Sequence, residues 1–191
     1  MRLCVAILLS GVMACAGCSS SEPIEIREYL LRPQAPNGQY DAEPIIGLGK
    51  VEVAPYLDHD GIVLETTPGE LNTAQHHRWA DPLNFAIRRY LQIEIGRAAG
   101  LDIAGSVTNS DALQTQIDVS VYQLHGTVSG SVKLVAEWQM RAIDSGEIQV
   151  RRQFSKTQTI RGDGYAEVVR AHAALLDELA AVIAAEVLRS E

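Results

Sequence analysis

Cys15 and Cys18 form a C-x-x-C pair, a spacing that serves thiol–disulfide exchange or half of a zinc site. Both uses need a strand–helix setting. Here the pair closes an apolar leader, and the only other cysteine is Cys4. The body of the chain therefore has no disulfide framework and no cysteine-based metal site. Asp58-His59-Asp60 sets three ligand-type side chains side by side. Neighbours in a loop seldom converge on one ion, so a solvated turn into Gly61 is the reading. His76-His77 could titrate near neutral pH or hold a metal, but polar residues ahead of a helix explain the pair equally well. His172 falls on an apolar helical stripe, which makes it a core histidine rather than a base. Ser129, within Gly126-Thr127-Val128-Ser129-Gly130, lacks the strand–turn–helix context of a nucleophile elbow, and its glycines turn a hairpin. Gly47-Leu48-Gly49 lacks the rest of a phosphate loop and marks a bulge or a close backbone approach. Nucleophile, base and oxyanion site are nowhere assembled. The chain reads as non-catalytic, with no cofactor and no metal expected.

The cysteine pair has a better explanation in its surroundings. Arg2 gives a short positive start, Leu3 to Met13 is apolar apart from Ser10 and Gly11, and small residues follow. The run is too short for a transmembrane helix, which needs about 20 residues. It reads as a signal peptide over residues 1–17. Ala16-Gly17-Cys18 resembles the end of a bacterial lipobox, in which the cysteine thiol is acylated and becomes the first residue of the mature chain. Lipid attachment is expected at Cys18. Cys15 is the alternative, because it stands where the lipobox usually has Leu. Residues 18–23 form a lipidated polar tether, and residues 24–191 the folded domain. Ser19 after the cysteine resembles outer-membrane sorting.

Composition sets the outer limits. Hydrophobic residues make up 47 % and charged residues 21 %, enough for a core and too few charges for a disordered chain. Aromatics are only 5 %, so the core is aliphatic. A net charge of −8 argues against nucleic acid, which needs clustered Lys and Arg. It also argues against gripping anionic headgroups with the bulk surface. Membrane attachment must come through acyl chains, leaving the folded surface to other partners.

Periodicity places the elements. Ile24, Ile26 and Leu30 alternate as a strand over 24–31; a polar loop follows from Pro33 to Pro44, then a strand over 45–53 and a short one at Ile62-Val63-Leu64. Asp81 as N-cap and Pro82 as first residue start a helix with the stripe Leu83, Ile87, Tyr90, Leu91, Ile95, ending between Gly96 and Gly100. Three strands follow, with inward rows Ile117/Val119/Val121, Val132 to Met140, and Ile148/Val150/Phe154. Asp144-Ser145-Gly146 turns between the last two. A final helix is predicted over 164–189, capped by Asp163. The order β-β-β-α-β-β-β-α implies an α+β two-layer domain, an antiparallel sheet with two amphipathic helices on one face.

One stretch is more specific than periodicity. Pro55-Tyr56-Leu57-Asp58, Ile62-Val63 and Arg78-Trp79-Ala80-Asp81-Pro82-Leu83 resemble the signature of the paraquat-inducible protein C family, the ABC-type transport auxiliary lipoproteins. Tyr29-Leu30-Leu31 fits as well. The layout is similar over residues 24–190, the specific motifs over 55–83. His59 stands where the family often has Arg, and Asp81 where it has Glu. The resemblance implies a periplasmic lipoprotein anchored in the outer membrane. It would act as a docking or auxiliary component for an MCE-domain protein of a lipid transport system. Tyr56, Asp58, Arg78 and Trp79 are the candidate partner-binding residues; for Trp79 the alternative is packing on the sheet at the start of the helix. A homo-oligomer is compatible with all of this. Two other readings stay open, a periplasmic binder of a small apolar ligand and a lipoprotein that only braces the envelope.

Overall fold

The computed structural model describes residues 24–34, 45–105 and 112–190. Cys15, Cys18, the leader and the tether up to residue 23 lie outside these residues, as does most of the predicted 33–44 loop. The strands are β1 (Arg27–Tyr29), β2 (Ile46–Val53), β3 (Gly61–Thr67), β4 (Glu70–Trp79), β5 (Ile103–Ala104), β6 (Thr115–Thr127), β7 (Ser131–Ala142) and β8 (Ile148–Thr159). A 3₁₀ turn (Pro55–Leu57) separates β2 from β3, and the helices are α1 (Leu83–Ala99) and α2 (Tyr165–Ser190). The fold is α+β, as expected.

β6 is the spine of the sheet. Its whole length pairs antiparallel with β7, and β7 pairs with β8. Its other edge is divided between two strands. β2 runs parallel to the first half, from Ile46↔Thr115 to Val53↔Val121, and β3 runs parallel to the end, at Leu64↔Gly126 and Glu65↔Thr127. β4 and then β1 extend the β3 branch, and β5 flanks β2. The sheet thus forks along β6, and the 3₁₀ turn sits at the fork.

One face of the sheet is apolar. Ile117, Val119 and Val121 lie across from Met140, Trp138 and Ala136, and all six are buried. α1 contacts β2, α2 contacts β7 and β8, and the helices contact each other over this face. The other face is polar. There Asp118 accepts hydrogen bonds from the Lys50 N–H (2.9 Å) and from the Gln116 side chain (2.5 Å), and pairs with Arg141 at 3.2 Å. Burial alone would raise this carboxyl, but those bonds, with a contact to Gln139 and the Arg141 charge, outweigh it and hold it below the usual range. The register shifts between Leu48 and Val51, so a bulge falls at Gly49 and Lys50, where the Gly47-Leu48-Gly49 segment ends. A Cβ at Gly49 would lie 2.4 Å from Asp118 Oδ1. Arg88 of α1 clamps the bulge from the helix side. It donates Nε–H to the Gly49 carbonyl (2.9 Å) and Nη2–H to the carbonyls of Leu48 (3.1 Å) and Gly105.

Several expectations change. β4 has no counterpart in the periodicity reading: in Glu70–Trp79 only Ala74 and Trp79 are buried, so no alternation shows. The sheet is mixed rather than antiparallel, because β1, β2 and β3 each have a parallel partner, and alternation reports which face is buried but not strand direction. The 24–31 strand shrinks to Arg27–Tyr29, leaving Ile24 and Ile26 exposed. α1 begins at Leu83 with Pro82 at the cap position and no side-chain cap from Asp81; the Pro82 carbonyl accepts the amides of Phe85 and Ala86. It ends at Gly100, whose left-handed backbone (φ 71°) is the geometry a helix stop favours.

Candidate functional site

The signature residues meet at the fork. The chain leaves β2 with Ala54 N–H bonded to the Val121 carbonyl (2.9 Å), and the 3₁₀ turn closes with Leu57 N–H to Ala54 O (2.8 Å) and Asp58 N–H to Pro55 O (3.2 Å). Pro55 fits the first position of the turn because no amide partner is required there. Leu57 plugs the core at 1 % exposure. Tyr56 reaches back across the fork, its hydroxyl 2.8 Å from His125 Nδ1 on β6. The other half of the signature arrives at the end of β4. Trp79 N–H donates to the Asp60 carbonyl (2.6 Å), and Ala80 N–H to the Tyr29 carbonyl (2.9 Å). The two motif segments, twenty residues apart in sequence, are thus joined through backbone.

Trp79 is core, at 5 % exposure, and this corrects its place among the exposed partner residues. Its indole meets the ring of His172 edge-on, centroids 5.4 Å apart. It therefore fits the packing alternative. Tyr56 is half-buried and committed to His125. Of the four candidates, Asp58 is exposed and Arg78 is partly exposed, with Nε–H donating to the Gln75 carbonyl (3.0 Å). Their side chains line different clefts. Asp58, with Lys50, Glu52, Asn84 and Tyr122, borders one of about 510 Å³ where the end of β2 lies beside β6. Arg78, with Ile24, Ile26, His59, Asp60 and His76, borders one of about 630 Å³ along the edge of β4.

Three histidines sit where α2 lies over β4 and β6. His172 is fully buried, as its place on the stripe predicts; Nδ1–H donates to the Val168 carbonyl (2.7 Å), and burial pushes its pKa down to about 4. His125 is buried beside Tyr56, with Glu65 at 3.9 Å; burial lowers its pKa despite that carboxylate. His77 bonds the Tyr29 hydroxyl at 2.9 Å and stacks on Tyr165 at 3.9 Å between centroids; burial, then Arg27 and His76, lower it as well. The sequence reading passes over His125 because the register shift between Val121 and Gln123 puts Leu124 in the inward row and leaves His125, opposite Lys133, on the other face, where Tyr56 covers it. A buried acid is likewise not foreseen: Glu94 of α1 ties Arg97 (2.7 Å) and the amide of Gln34 to one carboxylate. The hydroxyl of Ser129 bonds Thr127 and Ser131, neither of them a base. Among the described residues no group of three or more His, Cys, Asp or Glu gathers to hold a metal. No helix among them is long and apolar enough to cross a membrane.

This geometry has known counterparts. A family model described as the ABC-type transport auxiliary lipoprotein component matches residues 29–184. Two relatives named "Intermembrane transport lipoprotein PqiC", from Escherichia coli K12 and Shigella flexneri, are each 29 % identical over 180 residues, covering 91 % of this chain and 92 % of theirs. The crystal structure of an uncharacterized protein superposes with a TM-score of 0.74 at 26 % identity, over 85 % of this chain and 99 % of that one. A Xanthomonas campestris protein shares the fold, with a TM-score of 0.65 at 16 % identity over 82 % of this chain and 92 % of its own.

Proposed function

The chain belongs to the ABC-type transport auxiliary lipoprotein family, and on that premise we propose that it is the outer-membrane-anchored docking component of an intermembrane lipid transport system. The observation that carries this reading is the extent of the family match, from the last residue of β1 into the final turns of α2. The name of the relatives, intermembrane transport lipoprotein, supports it. Acylation of Cys18, or of Cys15, ties the mature chain to the membrane, and Ser19 favours the periplasmic face of the outer membrane. The partner is an MCE-domain protein of the same system. The domain is non-catalytic: it contributes position and contact while other components move the lipid. Within the signature, Tyr56 and Trp79 hold the fork, and Asp58 and Arg78 face the partner. The clefts at the fork have charged rims formed by Lys50, Glu52, Asp58, Asp60 and Arg78, which does not favour a small apolar ligand.

Crosslinking in membranes followed by affinity capture of the lipoprotein tests the reading. The expected result is recovery of the MCE-domain protein of its own organism. Purified lipoprotein that brings down a stoichiometric apolar small molecule and no MCE protein would replace docking with ligand carriage.

A further inference from the structure

The strand directions assign one end of the domain to the tether. β3 and β6 are parallel at Leu64↔Gly126, so the β3–β4 turn and the β6–β7 turn lie at the same end of the sheet. β1 runs parallel to β4, and the chain traced backwards from Arg27 passes along β4 toward Glu70, placing Ile24 and Ile26 beside Ala74 and His76 in one cleft. The chain therefore enters the domain from the two-turn end. That end is apolar at its projections. Val128 is 69 % exposed, Ile24 69 % and Leu71 40 %, whereas Ile26, level with His76, lies further along the sheet. The polar side chains of the two turns are bonded within their own turns, while Arg161 and Asp163, which follow β8 at this end, are exposed. Glu65 accepts the Gly69 amide (2.9 Å), Glu70 accepts the Thr67 hydroxyl (3.0 Å), and the hydroxyls of Thr127, Ser129 and Ser131 bond one another.

The opposite end also exposes apolar side chains, Ile45, Ile143 and Ile148. Tether length decides between the two. Six Cα–Cα steps separate Cys18 from Ile24, a reach of at most about 22 Å. The opposite end lies roughly 30 Å of strand beyond Ile24.

We infer that the two-turn end is a membrane-contact surface, on which Val128, Leu71 and Ile24 meet the lipid while the opposite end points away. This rests on the acyl anchor proposed above. The occupant is a lipid surface touched by isolated apolar side chains without a basic patch, so contact is shallow and adds to the anchor rather than replacing it.

The test uses the acylated full chain recovered from membranes and placed in vesicles of phosphatidylethanolamine and phosphatidylglycerol. Val128→Cys or Leu71→Cys carries an environment-sensitive fluorophore, with Ile143→Cys as the opposite-end control; all three positions are exposed, so folding is spared. Labels at 128 and 71 should shift to the blue and lose most of their emission to a quencher borne by lipid, and the label at 143 should do neither. Quenching at 143 instead, or at none of the three in an acylated, vesicle-bound chain, overturns the inference and leaves the anchor standing. Intact mass reports the anchor separately, and a mature chain without acyl groups removes both.

Discussion

Trp79 and His172 form the aromatic contact that joins the signature to α2. Trp79→Ala should cost about 3–5 kcal/mol of stability through the cavity left behind, seen as a large fall in melting temperature. Partner binding by whatever remains folded should change little. An unchanged melt with lost binding would return Trp79 to the surface. His172 adds a pH dependence. It is neutral in the folded state, with a pKa near 4, while the unfolded chain protonates near 6.5. Its stabilisation is therefore full above about pH 6.5 and disappears as pH falls toward 4, a loss of order 3 kcal/mol. His125 and His77, both lowered, act in the same direction. Denaturant midpoints should drop steeply between pH 7 and pH 5, and His172→Leu should flatten that slope; an equally steep slope in the variant would assign it elsewhere. His172 was legible in the sequence because helix period holds along α2. His125 was not, because an irregularity in β6 moves it off the inward row and its burial comes from Tyr56, 69 residues away in sequence, which no local alternation reports.

The fork is the element that gives the fold its shape. β6 can serve two strands on one edge only because Pro55–Leu57 lifts the chain from the β2 track and sets it down at β3. The bulge in β2 is held from the other side by Arg88, whose guanidinium serves three backbone carbonyls. Arg88→Met keeps the stem and removes those bonds. It should lower stability by about 2 kcal/mol, and hydrogen exchange should accelerate at the edge formed by β2 and β5 more than in β7. Uniform exchange with an unchanged midpoint would make Arg88 a surface residue without structural role. The helices and the β6–β7–β8 meander were readable because each buries one continuous face. β4 was not, since it buries only Ala74 and Trp79 and carries polar Gln75, His76 and Arg78 between them at exposed or partly exposed positions. The forked, mixed order was beyond reach for a related reason: side-chain alternation is identical in parallel and antiparallel pairs.

At the scale of the whole molecule, family membership and charge point the same way. An acidic domain held by the proposed acyl anchor would have its folded surface available for protein contact, and the signature leaves Asp58 and Arg78 accessible beside the fork. Reversing both, Asp58→Arg with Arg78→Asp, should weaken partner binding by tenfold or more, about 1.4 kcal/mol, without a matching loss of thermal stability. The signature was legible as a motif, but its division of labour was not: residue type alone suggested Trp79 as a contact, and only burial separates the residues that build the fork from those that face outward. The most direct measurement is a titration of the mature acylated lipoprotein, held in a lipid nanodisc, with the purified MCE-domain protein of its own organism. Docking predicts saturable binding with a Kd of about 1 μM or tighter. Absence of binding at high micromolar concentration, with both proteins folded, would contradict it.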